Sequence, residues 1–429
     1  MSYGLWVLLA VFLGIAVLGA PLGYAMLAAG FAYLFATHQD VGLVVDQTMN
    51  SLYGSYLLIA VPLFIFTANL MNASGVIDKL FDFGSAMVGR FHGGLAHVNV
   101  VCNLIFSGMS GSAVADAAGP GLIVARMMMR NGRYTPGFAA ATSAAAATIG
   151  PIVPPSIPMI FYALIANASV GALFLAGLVP GLLMAGALMT AIAILARRKG
   201  FPREAAPPWR QIPAICLRAA LPLALPGLLI GIIYSGIATA TEAAAIAAAY
   251  ALVLAMLVYR SMGWRELLTV LSETVRTTAA VGLLIAGAFV FNFVVASENV
   301  PQALQRAFLA WNPPPWIFLI AVNMLFLGLA CVLDAITMLL VLVPLLVPIA
   351  AGLGIDLVQF GVVVILNMMI GLALPPHGLL LFVMGNLTGA PLGAIFREVL
   401  PFVAALLVVL AAVTFVPALT LLLPRLLGY

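Results

Sequence analysis

Two diproline segments are the part of this sequence whose residue types and spacing could bind ions. Residues 150–155 read Gly-Pro-Ile-Val-Pro-Pro and residues 371–376 read Gly-Leu-Ala-Leu-Pro-Pro, both inside apolar runs. Because proline lacks an amide donor and clashes with the preceding helical turn, each segment is predicted to unwind. Unwinding frees carbonyl oxygens that can bind a hard cation such as Na⁺, and exposes half-helix N-termini that attract an anion. The pair favours a ligand site at membrane depth, with a ligand-free kink as the alternative.

Two further apolar stretches are interrupted by small polar residues, and each contains one aspartate. The first, about 93–125, contains Asp116, and the second, about 315–350, contains Asp334. Small residues permit a tight turn, and hydroxyl groups satisfy backbone groups that lipid cannot. A carboxylate at this depth is costly unless it has a partner or a function. Each stretch is therefore predicted to be a re-entrant helical hairpin, with a kinked pair of packing helices as the alternative.

Hydroxyl and amide side chains are sparse in this chain but cluster near these interruptions. They are Asn103, Ser107, Ser110, Ser112, Ser143, Thr148, Ser156, Thr337 and Asn367. The tetrapeptide 108–111 also matches the Gly-x-Ser-Gly pattern of rhomboid intramembrane proteases, with His97 or His377 as a possible partner of Ser110. A serine protease is thus a further hypothesis, although His377 is expected to pack rather than to move protons.

The composition is that of a chain that lies in a bilayer. Hydrophobic residues make up 65% of it and charged residues 7%, against about 25% charged in soluble domains. Soluble, collagen-like, disordered and disulfide-stapled classes are therefore excluded. Cys102, Cys216 and Cys331 lie in or beside apolar runs without a Cys/His cluster. They are expected to pack, and neither a zinc site nor a disulfide framework is supported.

Runs of the roughly 20 apolar residues that a spanning helix needs recur along the chain. They lie near 4–36, 55–75, 136–165, 171–196, 219–236, 241–259, 277–297, 357–384 and 399–423. The first run has no basic segment before it and lacks a small-residue cleavage pattern, so a mature helix is expected rather than a signal peptide. Glu242 stands at a predicted helix start, where a carboxylate stabilises the positive end of the helix.

Basic residues predict the orientation, since short cytoplasmic loops collect Lys and Arg. The segment 197–218 is rich in them and is placed in the cytoplasm. The loop containing Arg265 and Arg276 then also lies inside, and among the Lys and Arg residues only Arg306 and Arg425 fall outside. The N-terminus is predicted to be periplasmic.

A shift of about 221 residues aligns the two halves of the sequence. The matches are Ile149-Gly150 with Ile370-Gly371, Pro154-Pro155 with Pro375-Pro376, Asn103 with Asn323, Phe106 with Phe326 and Gly108 with Gly328. The run 4–36 corresponds to two helices in the second half, so we split it at Gly19-Ala20-Pro21. Each half then has five crossings and one hairpin, and an odd number of crossings inverts the second half.

The predicted fold is therefore an all-α polytopic membrane protein built of two inverted-topology repeats. The first repeat is 1–196, with a hairpin at about 93–125 and a broken helix at about 136–165; 197–218 is a cytoplasmic basic linker; the second repeat is 219–429, with a hairpin at about 315–350 and a broken helix at about 357–384.

Four motifs, in their order along the chain, resemble those of a known protein family. They are Ser107 to Gly119, Gly150 to Pro158, Thr239 to Ala245 (Thr-Ala-Thr-Glu-Ala-Ala-Ala) and Gly371 to Gly378. With this order the chain closely resembles, over its whole length, the large membrane (M) subunit of the tripartite ATP-independent periplasmic (TRAP) transporters. The resemblance implies a fold of the elevator-type ion-transporter superfamily, in which the hairpins and broken helices form a transport domain that slides against a scaffold.

The resemblance also implies an activity and partners. TRAP systems of the dicarboxylate and sialic-acid type import an organic acid across the bacterial inner membrane on a Na⁺ gradient rather than on ATP. The implied partners are a small four-helix membrane subunit (Q type), expected to be a separate polypeptide, a periplasmic substrate-binding protein (P type), the carboxylate solute and the lipid bilayer. No enzymatic activity, organic cofactor or nucleic-acid partner is expected. A stand-alone ion-coupled carrier of the same superfamily is the alternative.

The resemblance further implies site residues by position. One Na⁺ site would use Ser107, Ser110 and Ser112 with carbonyl groups near Gly150 and Pro154, and a second would use Gly328, Asp334 and Thr337 with carbonyl groups near Gly371 and Pro375. The solute would lie between the two tips, near Ser110, Ser112, Pro154, Pro155, Pro375 and Pro376, and further intramembrane polar residues are Asp116, Asn103 and Asn323. Because the second tip has fewer hydroxyl groups, the equivalence of the two ion sites stays open.

Overall fold

A computed structural model describes residues 2–204, 207–311, 313–330 and 333–429, which form helices joined by turns and short loops. The helices of the first half are α1 (Tyr3–Val17), α2 (Leu22–Ala36), α3 (Gly42–Tyr53), α4 (Ala60–Ala73), α5 (Val76–Val88), α6 (Gly94–Ser110), α7 (Ala113–Asp116), α8 (Leu122–Met129), α9 (Pro136–Ala147), α10 (Ile157–Ala166) and α11 (Val170–Lys199). Those of the second half are α12 (Ile212–Tyr234), α13 (Ala240–Val253), α14 (Trp264–Ser297), α15 (Val300–Trp311), α16 (Pro315–Leu329), α17 (Ala335–Gly352), α18 (Leu357–Leu372), α19 (Leu379–Thr388), α20 (Leu392–Phe415) and α21 (Ala418–Leu426). Short 3-10 or π-helical segments lie at Tyr56–Ile59, Ala117–Gly121, Arg130–Gly132, Trp209–Gln211 and Leu254–Val258.

Within the described ranges, seven helices are long and apolar enough to cross a membrane. They are Tyr56–Ala73, α11, α12, Ala240–Val258, α14, α17 and α20. Shorter apolar helices of 10–17 residues accompany them, α6 and α10 among them. The chain is a multi-pass helical membrane protein, as its composition predicts.

The apolar run 4–36 forms two helices, as predicted. α1 ends at Val17, Gly19 has a φ of +82°, and Pro21 immediately precedes α2. A positive φ suits glycine, and proline cannot continue a helix, so these residues end one helix and let the next begin. α1 and α2 then pack against each other as a hairpin.

Several predicted boundaries are wrong because helices continue past the ends of the apolar runs. α11 extends to Lys199 and is followed by Gly200, whose φ is +68°, so the linker 197–218 begins inside that helix. The same linker ends inside α12, which starts at Ile212. Arg265 and Arg276 lie in α14 rather than in a loop. Arg and Lys are strong helix formers, so a change in polarity does not by itself end a helix.

Three helices were not predicted. α3, α5 and α15 are 12 or 13 residues long, and α5 combines buried Ile77 and Leu80 with the exposed Asp78. The run 399–423 is also interrupted at Pro417, where α20 ends and α21 begins. Short helices with one polar face lack the long apolar runs from which spanning helices are predicted.

Each interrupted stretch folds back on itself. α6 ends at Ser110, the chain reverses at Gly111, and α8 returns along α6. In the second stretch α16 and α17 also pack on each other, while residues 331 and 332 between them lie outside the described residues. The first stretch therefore has the helix–turn–helix course of the predicted hairpin, and in the second stretch the two helices that flank the undescribed residues are in contact. The two broken helices are α9 with α10, and α18 with α19.

Glu242 has the structural role predicted for it. Its carboxylate accepts hydrogen bonds from the Thr239 amide (2.7 Å) and hydroxyl (2.9 Å), and the Glu242 amide donates to the Thr239 hydroxyl (3.4 Å). This reciprocal pair is a capping box, which satisfies amide groups that the first turn of α13 leaves free.

We expect Thr239→Ala to destabilise the protein by about 1 kcal/mol, because the helix loses its N-cap. The measurement is the thermal unfolding temperature of the purified protein in detergent. Thr269→Ala is the matched control, since its hydroxyl only donates to the Arg265 carbonyl of its own helix. Equal unfolding temperatures for the two variants would show that the capping box does not stabilise α13.

Candidate functional site

The tips of both hairpins and parts of both broken helices meet at one cleft of about 520 Å³. From the first half it is lined by Ile65, Ala68, Asn69, Asn72, Ser110, Gly111, Ser112, Ala113, Val114, Ala115, Ala118, Pro151, Ile157 and Pro158. From the second half it is lined by Thr277, Val281, Asp334, Ala335, Ile336, Met369, Leu372 and Leu379. Among these lining residues Asp334 is charged and none is basic, so an anion here would meet no side-chain cation.

The first hairpin tip depends on Gly111. Its φ is +60°, and its amide donates to the Ser107 carbonyl at the end of α6. A Cβ atom at this position would lie 2.5 Å from the Pro155 carbonyl oxygen. Glycine is therefore required twice, for the left-handed turn and for the close approach of the tip to the first diproline segment.

Asp116 is fully buried directly behind this tip. One of its carboxylate oxygens, Oδ1, accepts a hydrogen bond from the Ser110 hydroxyl, whereas Oδ2 has no hydrogen-bond partner among the described residues. Oδ2 lies so close to the Cα of Gly150 that a Cβ atom there would collide with it. The carboxylate thus lies between the hairpin tip and the first broken helix, with one free oxygen.

The first broken helix opens between Ala147, the end of α9, and Ile157, the start of α10. The Pro154–Pro155 peptide bond in this segment is cis. Ser156 closes the break: its hydroxyl donates to the Pro151 carbonyl (2.5 Å) and accepts from the Met159 amide (3.2 Å). Since Ile157 and Pro158 line the cleft, the N-terminal end of α10, with its partial positive charge, faces it.

The second hairpin tip presents a carboxylate instead of hydroxyl groups. Asp334 caps α17, accepting from the Thr337 amide at 3.0 Å and from the Thr337 hydroxyl. Asp334, Ala335 and Ile336 line the cleft opposite the first tip, whereas Thr337 is fully buried behind them. The two tips therefore face the same cleft with different chemistry.

The second broken helix has a cis diproline and a closely packed glycine, as the first has. The Pro375–Pro376 peptide bond is cis and lies between the end of α18 and the start of α19. A Cβ atom at Gly371 would collide with the Ala330 side chain at the end of α16. In each half, therefore, a glycine at the break allows the hairpin of the same half to come into contact with it.

Buried amide side chains join each hairpin to its broken helix. In the first half Asn99 of α6 donates to the Ser143 hydroxyl of α9 (2.5 Å), and Asn103 donates to the Asn99 side chain (2.8 Å). In the second half Asn367 of α18 donates to Asn323 of α16 (2.7 Å), and Asn323 donates to the Thr414 hydroxyl of α20 (3.0 Å). Such buried polar links hold packed helices in one register.

The structure brings some of the sequence-predicted site residues to the cleft and leaves others behind it. Ser110, Ser112 and Asp334 line the cleft; Ser107, Gly150, Pro154, Pro155, Thr337 and Gly371 are buried around it; Asn103 and Asn323 belong to the amide links; Gly328, Pro375 and Pro376 do not line it and are more exposed. The breaks were located correctly, but the cleft is lined by Pro151 and by residues of the adjoining helices rather than by the consecutive prolines.

Three polar residues of the cleft were not predicted as site residues. Asn69 and Asn72 lie on α4 and Thr277 lies on α14. Asn69 donates to the Thr274 hydroxyl (3.0 Å), and the Oδ1 atom of Asn72 has no hydrogen-bond partner within the described ranges. Two asparagines at positions i and i+3 of an apolar helix share one face, and that spacing is the signal that could have identified them.

The protease hypothesis finds no support in this geometry. Ser110 donates its hydroxyl to Asp116, and His97 is thirteen positions away on the same helix, which is about 20 Å along its axis. His377 is exposed after the second diproline segment. No histidine is hydrogen-bonded to Ser110 in the described part of the chain.

The cysteines agree only in part with the expected packing role. Cys102 is buried, but Cys216 is exposed on α12, and Cys331 lies outside the described residues. An exposed Cys216 is compatible with a chain whose outer surface faces lipid, where a weakly polar thiol is tolerated.

Known proteins are similar to this chain over most of its length. Residues 9–419 match the family described as "Tripartite ATP-independent periplasmic transporter, DctM component". The chain is 41% identical to the sialic acid TRAP transporter large permease protein SiaM of Vibrio cholerae, over 97% of this chain and 98% of that protein. It is 38% identical to the C4-dicarboxylate TRAP transporter large permease protein DctM of Pseudomonas aeruginosa, over 87% of each.

A solved structure is similar in fold. The Alcanivorax borkumensis YdaH transporter matches with a TM-score of 0.63 over 87% of each chain, at 14% sequence identity. At this identity the similarity concerns the fold alone. The family match and the near-full-length relatives carry the assignment: this chain belongs to the DctM family of large permease subunits of tripartite ATP-independent periplasmic transporters, and is a transporter subunit rather than an enzyme.

Proposed function

We propose that this chain imports an organic acid by Na⁺-coupled, elevator-type alternating access, and that the cleft is its solute site. The observation that carries the proposal is that both hairpin tips and both broken helices line this one cleft. Broken helices near the midplane, with free carbonyl groups and half-helix ends, are how many secondary transporters bind solute and coupling ions. The names of relatives that act on sialic acid and C4-dicarboxylates point to a carboxylate solute.

The electrostatics of the cleft support coupling to a cation. A carboxylate solute can be stabilised by the N-terminal end of α10, by the Ser112 hydroxyl and by the second N–H of the Asn69 side chain. It would also be repelled by Asp334, because no basic side chain lines the described cleft. Binding Na⁺ beside Asp334 would cancel this repulsion, so solute and cation would bind better together than alone.

Two groups of oxygen atoms are the proposed Na⁺ ligands. The first group consists of Ser107, Ser110 and Ser112 with the carbonyl groups of Gly150 and Pro154, and the second of Gly328, Asp334 and Thr337 with the carbonyl groups of Gly371 and Pro375. The free Oδ2 atom of Asp116 beside Gly150 adds an oxygen to the first group. Hydroxyl, carbonyl and carboxylate oxygens are the ligands that hard cations prefer.

The order of helices supports two inverted repeats. In the first half α4, α5, the α6–α8 hairpin, α9–α10 and α11 follow one another; in the second half α14, α15, the α16–α17 hairpin, α18–α19 and α20 follow in the same order. The N-terminus is proposed to be periplasmic and the 197–218 linker cytoplasmic, in the bacterial inner membrane. The hairpins and broken helices would form the moving transport domain.

The proposed partners are a small four-helix membrane subunit and a periplasmic binding protein that delivers the solute. The tripartite character of the family supports them, and a stand-alone carrier is the alternative. The test is uptake of radiolabelled sialic acid and of C4-dicarboxylates into proteoliposomes. Uptake is expected to need an inward Na⁺ gradient, the small subunit and the binding protein. Undiminished uptake without Na⁺ would refute coupling, and uptake without partners would favour the stand-alone carrier.

A further inference from the structure

A second cavity, of about 720 Å³, lies at the far end of α6 from the hairpin tip. It is formed by the turn between α5 and α6, the last turns of α11 and the first residues after α11. Its polar lining consists of Arg90, His92, His97, Thr190, Arg197 and Arg203. None of these residues lines the solute cleft, so the transport proposal does not account for this cavity.

The cavity holds positive charge that no ion pair neutralises among the described residues. Arg90, Arg197 and Arg203 line it, and no acidic residue does within the described ranges. Neighbouring ion pairs use other residues, Arg133 with Glu204 and Lys199 with Glu398, and none involves these three arginines. Arginine presents several N–H donors in a planar group that matches the oxygens of phosphate.

His97 adds an unsatisfied buried group to this charge. Its side chain is 4% exposed, and neither ring nitrogen has a hydrogen-bond partner among the described residues. The ring lies edge-on to Phe91, with centroids 5.9 Å apart, and faces the cavity. A buried polar group without a partner is destabilising, so an oxygen acceptor bound in the cavity would stabilise it.

The walls of the cavity are held together by the backbone. The Gly93 amide donates to the Pro202 carbonyl (3.1 Å), and the Glu204 amide donates to the Gly89 carbonyl (3.0 Å). Arg203 is also within 3.2 Å of the His92 ring. The chain after α11 is therefore fixed against the α5–α6 turn, and the walls of the cavity are joined by hydrogen bonds.

We propose that this cavity binds a phosphate group, either on an anionic phospholipid or as a free phosphate. Three arginines that form no ion pair within the described residues and a histidine without a hydrogen-bond partner there line it, and phosphate offers several strong acceptors to such a set. The side chains of Phe91 and Met189 give it an apolar wall as well. Basic pockets beside membrane helices are suited to lipid headgroups, and an acyl chain could contact that wall.

The test uses the full chain, delipidated in a neutral detergent, with the thermal unfolding temperature measured during titration. The added probes are short-chain phosphatidylglycerol, phosphatidylcholine and inorganic phosphate. Phosphatidylglycerol is expected to raise the unfolding temperature more than the zwitterionic lipid does. An equal effect of inorganic phosphate would identify the phosphate group alone as sufficient, whereas an effect of phosphatidylglycerol alone would identify a lipid headgroup.

The variant Arg90→Gln/Arg197→Gln is expected to bind at least about tenfold more weakly, since two charge-assisted contacts are lost. The matched control is Arg210→Gln/Arg218→Gln, which removes two basic residues that do not line the cavity. His97→Gln tests the buried ring separately, and it is expected to weaken binding while the arginines are intact. No shift with any probe, or equal shifts in the cavity variant and the control, would overturn the proposal.

Discussion

Gly150→Ala is expected to reduce solute uptake at least about tenfold, because the added methyl group would occupy the space of the Asp116 carboxylate. Overpacking of a buried site costs about 1–3 kcal/mol, and moving the carboxylate breaks its hydrogen bond from Ser110. The hairpin tip that lines the cleft would then shift. The measurement is the initial rate of uptake into proteoliposomes at equal amounts of folded protein.

Two further variants show whether the collision is the cause. Gly231→Ala on α12 is the matched control, since a Cβ atom there meets nothing within 4 Å. In the double variant Gly150→Ala/Asp116→Ala the carboxylate that would be struck is gone, so the two changes should be strongly non-additive. Additive losses, or wild-type uptake by Gly150→Ala, would contradict the idea that Asp116 and Gly150 act as one contact.

The hairpins and breaks could be predicted because their signals are local. Gly111 and its neighbouring serines are consecutive in sequence, and proline disrupts a helix wherever it stands. The contact of Asp116 with Gly150 could not be predicted, because it depends on how the hairpin packs against a helix that follows later in the chain. The same holds for Thr277, whose exposure to the cleft depends on the rotation of α14.

The diproline residues illustrate the limit of a local signal most clearly. They mark where each helix opens, but they do not determine which side of the opening faces the ligand. In the first half Pro154 and Pro155 are buried, and the cleft is lined by Ile157 and Pro158 at the start of α10. Pro151 in the unwound segment and the start of α10 therefore both face the cleft, whereas the two consecutive prolines do not.

The two halves share the same structural elements but carry different polar groups at their hairpin tips. Each has a cis diproline, a glycine that admits the hairpin, and a buried asparagine link from hairpin to broken helix. The first tip offers Ser110 and Ser112 to the cleft, whereas the second offers Asp334. Two hairpins of similar structure with different polar groups at their tips are suited to binding two different ligands. We expect the tip that carries the carboxylate to bind the cation.

Asp334→Asn is therefore expected to raise the Na⁺ concentration needed for half-maximal uptake at least about tenfold. Asparagine caps a helix nearly as well as aspartate, so it keeps the hydrogen bond from the Thr337 amide that starts α17. It removes the charge from the cleft, and a singly charged cation loses its Coulombic partner. The measurement is uptake as a function of Na⁺ concentration, with the thermal unfolding temperature as a check on folding.

Two comparisons separate the charge of Asp334 from its capping role. Asp334→Ala removes both and should also destabilise the protein by about 1 kcal/mol. Asp356→Asn is the matched control, because Asp356 caps α18 through the Val358 amide (2.8 Å) and does not line the cleft. If Asp334→Asn keeps the wild-type Na⁺ dependence while Asp334→Ala loses uptake, the residue only caps α17. The Na⁺ response would then have to come from the serine tip, where Ser110 and the free oxygen of Asp116 lie.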